Sequence, residues 1–155
     1  MGVSVKANDK LRAFDDAPGG SETVLVVDDD PLVLVLCRRL LAQYNYDVLT
    51  ADDGETALEM CRVSHKPIHL ALVDVMLPGI SGLEMVRQLE TVKPEIRVVL
   101  MSGYGLGQIE EWCETDLTNY GIVWKPFEAK SLLHIIRNSL DTPVRSSLQK
   151  GASAV

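Results

Sequence analysis

Residues 68–82 read IHLALVDVMLPGISG. The apolar run Ile68–Val73 has the length and composition of a strand buried on both faces of a sheet. It closes on Asp74, whose charge would be expensive to bury without a partner. Pro78-Gly79 then breaks the chain before a helical pattern begins. Working outward, the same arrangement recurs: VLVV runs into Asp28-Asp29, RVVLM into Ser102, and GIVW into Lys125. In a parallel α/β sheet the carboxyl ends of the strands share one edge, where ligands bind at a topological switch point. Residues spread over about a hundred positions therefore meet in one pocket.

The rest of the chain follows this rhythm. Strands are expected at 23–28, 46–51, 68–74, 96–102 and 121–124. Helices are expected at about 31–43, 54–63, 83–90, 106–117 (the weakest) and 128–140. Asp30 reads as an N-cap, with Pro31 at the first helical position, where its missing N–H is tolerated. Strands alternating strictly with helices imply βαβ units. The expected fold is therefore α/β, a doubly wound five-stranded parallel sheet flanked by five helices. Residues 1–21, ending in Ala-Pro-Gly-Gly, read as a tail or linker with room for a short helix near 10–14. The domain is 22–140, and 141–155, rich in small polar residues, reads as a flexible tail.

Composition narrows the function. At 155 residues the chain suits one domain with a real core. A formal charge of −7 without a basic run argues against binding nucleic acid or an anionic membrane surface. No apolar stretch is long enough to span a bilayer, and the amino terminus lacks a secretory apolar region. The opening Met-Gly is followed by Lys6 where a myristoylation motif needs Ser or Thr. Cys37, Cys61 and Cys113 are odd in number and show no metal-ligand spacing. Reduced, packed thiols in a cytoplasmic protein are expected.

The pocket would hold Asp28, Asp29 and Asp74 with the Ser102 hydroxyl and the Lys125 ammonium. Clustered carboxylates raise one another's pKa unless a cation compensates. Mg²⁺ takes one or two carboxylates, waters and phosphate oxygens, which suits this set. Asp74 can be read as a carboxylate satisfied by loop amides or as a nucleophile forming an aspartyl phosphate. Lys125 would neutralise transferred phosphoryl oxygens, and Ser102 would donate to one of them.

VLVVDDDP, LALVDVMLPGISGLE, VVLMSGYG and WKPF, in that order, resemble the motifs of bacterial two-component response-regulator receiver domains. The resemblance covers roughly residues 22–140 and implies the CheY-like strand order 2-1-3-4-5. It implies phosphoryl transfer to Asp74 from a histidine kinase or histidine phosphotransfer protein. It implies Mg²⁺ held by Asp28, Asp29, Asp74 and the backbone carbonyl of Met76, with Asp29 the more direct ligand of the first two. Ser102 would be the switch hydroxyl and Lys125 the phosphate-contacting lysine, its bond to Pro126 cis. Output would pass to a protein target through the fourth helix, fifth strand and last helix; a homodimer is a further partner that the family allows. The leader GGSETVLVVDDD and the MSGYG loop are similar to those of receivers in hybrid histidine kinases, and a stand-alone receiver fits equally. One departure stands out. Ile122 occupies the position, three before the lysine, where the family carries the Tyr or Phe that swings inward. Trp124 and Tyr104 are the nearby aromatics. Met76 and Tyr104 occupy positions that tune dephosphorylation in this family.

Other signals are bland. The glycines at 103, 105 and 107 lack dinucleotide or P-loop spacing. His65, His69 and His134 have no mutual metal spacing, and Leu132, Leu133, Ile135 and Ile136 read mostly as core. Two rival functions remain. A haloacid-dehalogenase-type phosphatase would use Asp28-x-Asp30, but Asp74 would be idle and no acidic pair follows Lys125. A receiver-like interaction module working without phosphorylation would not need the intact acids and lysine.

Overall fold

The computed structural model describes residues 17–105, 108–109 and 117–143. Its strands are β1 (Thr23–Val27), β2 (Asp47–Ala51), β3 (Leu70–Asp74), β4 (Arg97–Ser102) and β5 (Gly121–Trp124). The α-helices among the described residues are α1 (Pro31–Gln43), α2 (Gly54–Val63), α3 (Gly82–Val92) and α4 (Ala129–Asp141). The helix expected at 106–117 lies mostly outside the described residues. Gln108 and Ile109 are helical, and Leu117–Asn119 forms a 3₁₀ turn.

The sheet is parallel throughout in the order β2-β1-β3-β4-β5, as expected. Alternate strand residues face opposite layers. Leu25, Val27, Ala71, Val73 and Leu100 pack under α2 and α3, whereas Val24, Val26, Leu72, Val99 and Met101 pack under α1 and α4. Covering both faces is what makes the strands apolar at every position rather than at every second one. Cys37 and Cys61 are buried, unpaired thiols in these two layers. Burial pushes the Cys37 thiol up to about 11, as expected for an inert packed cysteine. Cys113 lies outside the described residues. Leu132, Leu133 and Ile136 are core; His69 is structural, its Nδ1 accepting from the Thr23 N–H at 2.9 Å. Among the described residues, no helix is long and apolar enough to cross a membrane.

Local chemistry sets the helix starts. The Asp30 carboxylate accepts from Leu32 N–H at 2.9 Å, Asp53 from Thr56 N–H at 2.6 Å, and the Ser81 hydroxyl from Glu84 N–H at 3.1 Å. Helix α3 runs to Val92, two residues past the expected end at Glu90, and stops one residue short of Lys93-Pro94.

The segment before β1 is fastened to the end of α1 and to α4. Gly20 N–H donates to the Tyr44 carbonyl at 3.0 Å, and Arg137 donates to both Glu22 carboxylate oxygens at 3.1 and 2.6 Å. The guanidinium holds the Glu22 carboxyl down at about 2 against its ordinary 4.5. A carboxyl depressed by folding contributes stability at neutral pH that is lost as pH falls from about 4.5 to 2. The pair is partly solvated, so its worth is about 1 kcal/mol rather than the full shift. Glu22→Gln should therefore lower stability by about that amount at neutral pH in urea denaturation. The deficit should shrink steadily below pH 4.5, and a deficit unchanged at acid pH would contradict this account.

Candidate functional site

Four strand ends converge as expected. Asp28 follows β1, its N–H still bonded to the Ala51 carbonyl at 3.2 Å; Asp74 ends β3 and Ser102 ends β4. Lys125 follows β5 and donates its N–H to the Ser102 carbonyl at 2.7 Å. The ladder pairs Asp74 with Met101 and Ser102 with Trp124, which places all of them along one edge.

Lys125 is the centre of the cluster. Its Nζ lies 2.6 Å from Asp28 Oδ2 and 2.7 Å from Asp74 Oδ2. Asp28 is fully buried and Asp74 nearly so, whereas Asp29 is exposed. The remaining carboxylate oxygens are also engaged: Asp28 Oδ1 accepts from Asp30 N–H, and Asp74 Oδ1 from Met76 N–H, both at 2.9 Å. Burial pushes the Asp28 carboxyl above its usual range, against the opposing pull of the Lys125 hydrogen bond. Burial also disfavours the Lys125 ammonium, but its hydrogen bonds to Asp28 and Asp74 outweigh that and leave it above its ordinary value.

The arrangement fits a divalent cation. One carboxylate oxygen from each of Asp28, Asp29 and Asp74 lies within 4.8 Å of the others. Three carboxylates face a single ammonium, so negative charge is left over, and exposed Asp29 opens the group to water and ligand oxygens. Ser102 reaches the same edge, but its hydroxyl is turned back on its own loop. It accepts from Tyr104 N–H at 2.9 Å and donates to the Tyr104 carbonyl at 3.1 Å. The Lys125–Pro126 peptide is cis, as the resemblance implies. Ile122 packs against the α2–α3 core layer, while Trp124 and Tyr104 stay largely exposed, so neither fills an inward aromatic position. Asp30 is spent as the cap of α1, which removes the second acid that the phosphatase reading needs.

Sequence reading missed Gly82. A Cβ there would sit 1.9 Å from the Asp74 carbonyl oxygen, so the amino end of α3 rests directly against the backbone of the acid. Gly82 N–H also donates to the Val75 carbonyl at 3.0 Å. The only hint was a second glycine three residues after Gly79. A hollow of about 300 Å³ near Cys61, His65, Lys66 and Lys93 lies at the opposite edge, by the residues preceding β3 and β4. It contains none of the clustered acids, of which Asp28 and Asp74 are buried and Asp29 is exposed.

Residues 24–137 match the model of the response regulator receiver domain family. The chain is 41% identical over 118 residues to the transcriptional regulatory protein AruR of Pseudomonas aeruginosa, covering 74% of this chain and 48% of AruR. It is 29% identical to sporulation initiation phosphotransferase F of Bacillus subtilis, covering 82% of this chain and 98% of that protein. The chain thus spans about half the length of AruR but nearly all of the phosphotransferase. A CheY-like receiver domain from Methanospirillum hungatei JF-1 superposes with a TM-score of 0.69 at 24% identity, over 79% of this chain and 95% of that one. At that identity the superposition speaks for the fold alone.

Proposed function

Because the chain belongs to the response regulator receiver domain family, the phosphorylation-operated switches of two-component signalling, we propose that Asp74 is its phosphoacceptor. The observation that carries this is Lys125 Nζ bridging Asp28 and Asp74 at 2.6 and 2.7 Å. An ammonium held there is placed to donate to phosphoryl oxygens as they arrive on Asp74. The donor is the phosphohistidine of a histidine kinase or phosphotransfer protein; its P–N bond breaks as an Asp74 oxygen bonds to phosphorus. Asp28, Asp29, Asp74 and the Met76 carbonyl would hold Mg²⁺, which would supply neutralisation of charge on the phosphoryl oxygens. Met76 N–H keeps one Asp74 oxygen oriented, and Lys125 shifts from carboxylate to phosphoryl oxygen. Ser102 donates to the same group once its hydroxyl leaves the Tyr104 carbonyl.

The working unit is residues 22–140, cytoplasmic, with self-phosphorylation from small donors and autodephosphorylation as its own chemistry. Rearrangement around Ser102 biases the surface formed by β5 and α4 toward a protein target or a second copy. With Ile122 in place of an aromatic, movement of the Ser102–Tyr104 turn carries the signal.

Incubation with acetyl phosphate and Mg²⁺ should add one phosphoryl group to the intact mass, and omitting Mg²⁺ should prevent it. Mg²⁺ alone should raise the melting temperature by several degrees, since a ligand at 100 times its Kd stabilises by about 2.7 kcal/mol. No addition with acetyl phosphate or beryllofluoride, together with an unchanged melting temperature, would favour the phosphorylation-independent module.

A further inference from the structure

The loop between β3 and α3 is tied only at its ends. Val75 N–H donates to the Met101 carbonyl at 3.0 Å, Met76 N–H to Asp74, and Gly82 N–H back to the Val75 carbonyl. Among the described residues, Leu77–Ile80 make no hydrogen bond, so packing alone holds the tip. Leu77 and Ile80 lie against the α2–α3 core layer. Ile80 sits on the bare Cα of Gly54, the first residue of α2. A Cβ there would lie 2.8 Å from Ile80 Cγ1 and 3.0 Å from Cδ1. The next residue, Glu55, lies over Gly79, where a Cβ would be 3.1 and 3.2 Å from its carboxylate oxygens and φ is +73°. Two consecutive residues of α2 thus receive two consecutive residues of the loop.

We propose that the first turn of α2 positions the metal-binding loop, Ile80 on Gly54 holding residues 75–81 in the geometry that Mg²⁺ requires. This rests on the Mg²⁺ reading above. Mg²⁺ demands near-ideal octahedral geometry, so a ligand loop displaced by a fraction of an ångström binds it worse. A methyl group on residue 54 would press on Ile80 Cγ1, next to Cβ, and lie 3.3 Å from Met85 Cβ, so it pushes on the base of the Ile80 side chain and not on its tip alone. Alanine is a good helix former, so α2 itself loses nothing by the change. Gly54 and Ile80 are positioning residues and touch no phosphoryl group.

The test is titration calorimetry of Mg²⁺ against the full chain, its Gly54→Ala and Ile80→Ala variants and the double variant, with melting temperatures measured in EDTA. Gly54→Ala should weaken Mg²⁺ binding about tenfold, the scale seen when groups supporting metal ligands are lost. Ile80→Ala, which frees the loop, should weaken it about fivefold or more. In the double variant the alanine methyl refills the space vacated by Ile80. Binding there should be at least about threefold tighter than the two single effects multiplied. If both single variants bind Mg²⁺ within twofold of the unaltered chain, the positioning role is overturned, whatever happens to the melting temperatures. Should Gly54→Ala fail to fold, Ile80→Ala decides by the same criterion. No Mg²⁺ binding by the unaltered chain would overturn the metal site itself and this role with it.

Discussion

An Asp74→Asn protein should take up no phosphoryl group from acetyl phosphate or from a phosphohistidine donor, while keeping its fold. The amide has the shape of the carboxylate and can still accept from Met76 N–H through its oxygen. It lacks the anionic oxygen that attacks phosphorus, so the loss should be complete rather than partial. Stability should change little, within about 1 kcal/mol, because two effects oppose each other. The Lys125–Asp74 ion pair at 2.7 Å is lost, but Asp28 no longer faces a second buried carboxylate, and Lys125 stays with it at 2.6 Å. Intact-mass spectrometry of both proteins reads the result directly. A phosphoryl adduct persisting in the variant would place the acceptor elsewhere.

Gly82→Ala should be the most destabilising single-methyl change near the site. Helix propensity alone favours alanine by up to about 1 kcal/mol. Sterics decide otherwise, because the new Cβ would sit 1.9 Å from the Asp74 carbonyl oxygen and 2.8 Å from its carbon. Those are backbone atoms of a central strand, and no rotamer change relieves the contact. The amino end of α3 must back away, carrying buried Leu83 and Val86 with it. Overpacking of this kind costs about 3 kcal/mol or more. Urea denaturation should show that loss, with Gly103→Ala as the control, since a Cβ there meets nothing within 4 Å. Equal stability of the two variants would mean that α3 can shift freely, and the close approach would then have no structural weight.

Much of the fold was legible in short segments. The runs before Asp28, Asp74, Ser102 and Lys125 are apolar at nearly every position because each strand is covered on both faces, and such runs need no long-range knowledge to recognise. Asp30-Pro31 marked the start of α1 because capping is settled within three residues. The site acids, the hydroxyl and the lysine were legible because parallel strands place their carboxyl ends together, so position along a strand becomes position in space. Boundaries were less secure: β2 and β4 each begin one residue later than expected, and β3 begins two later. Apolar residues continue beyond the point where ladder bonds begin, and periodicity does not register hydrogen bonding.

What the sequence determined by itself was the alternation of elements, the apolar runs that supply the core and the edge at which the charges collect. All of these depend on chemistry local to one segment or on a rule shared by every parallel sheet. Tertiary structure alone decided that Lys125 bridges Asp28 and Asp74, partners 97 and 51 residues away. It alone decided that the Ser102 hydroxyl turns back to Tyr104, that Gly82 rests on the Asp74 carbonyl and that Ile80 seats on Gly54. Such contacts turn on differences of a few tenths of an ångström between segments remote in the chain. Only the simultaneous packing of all the elements sets distances that fine.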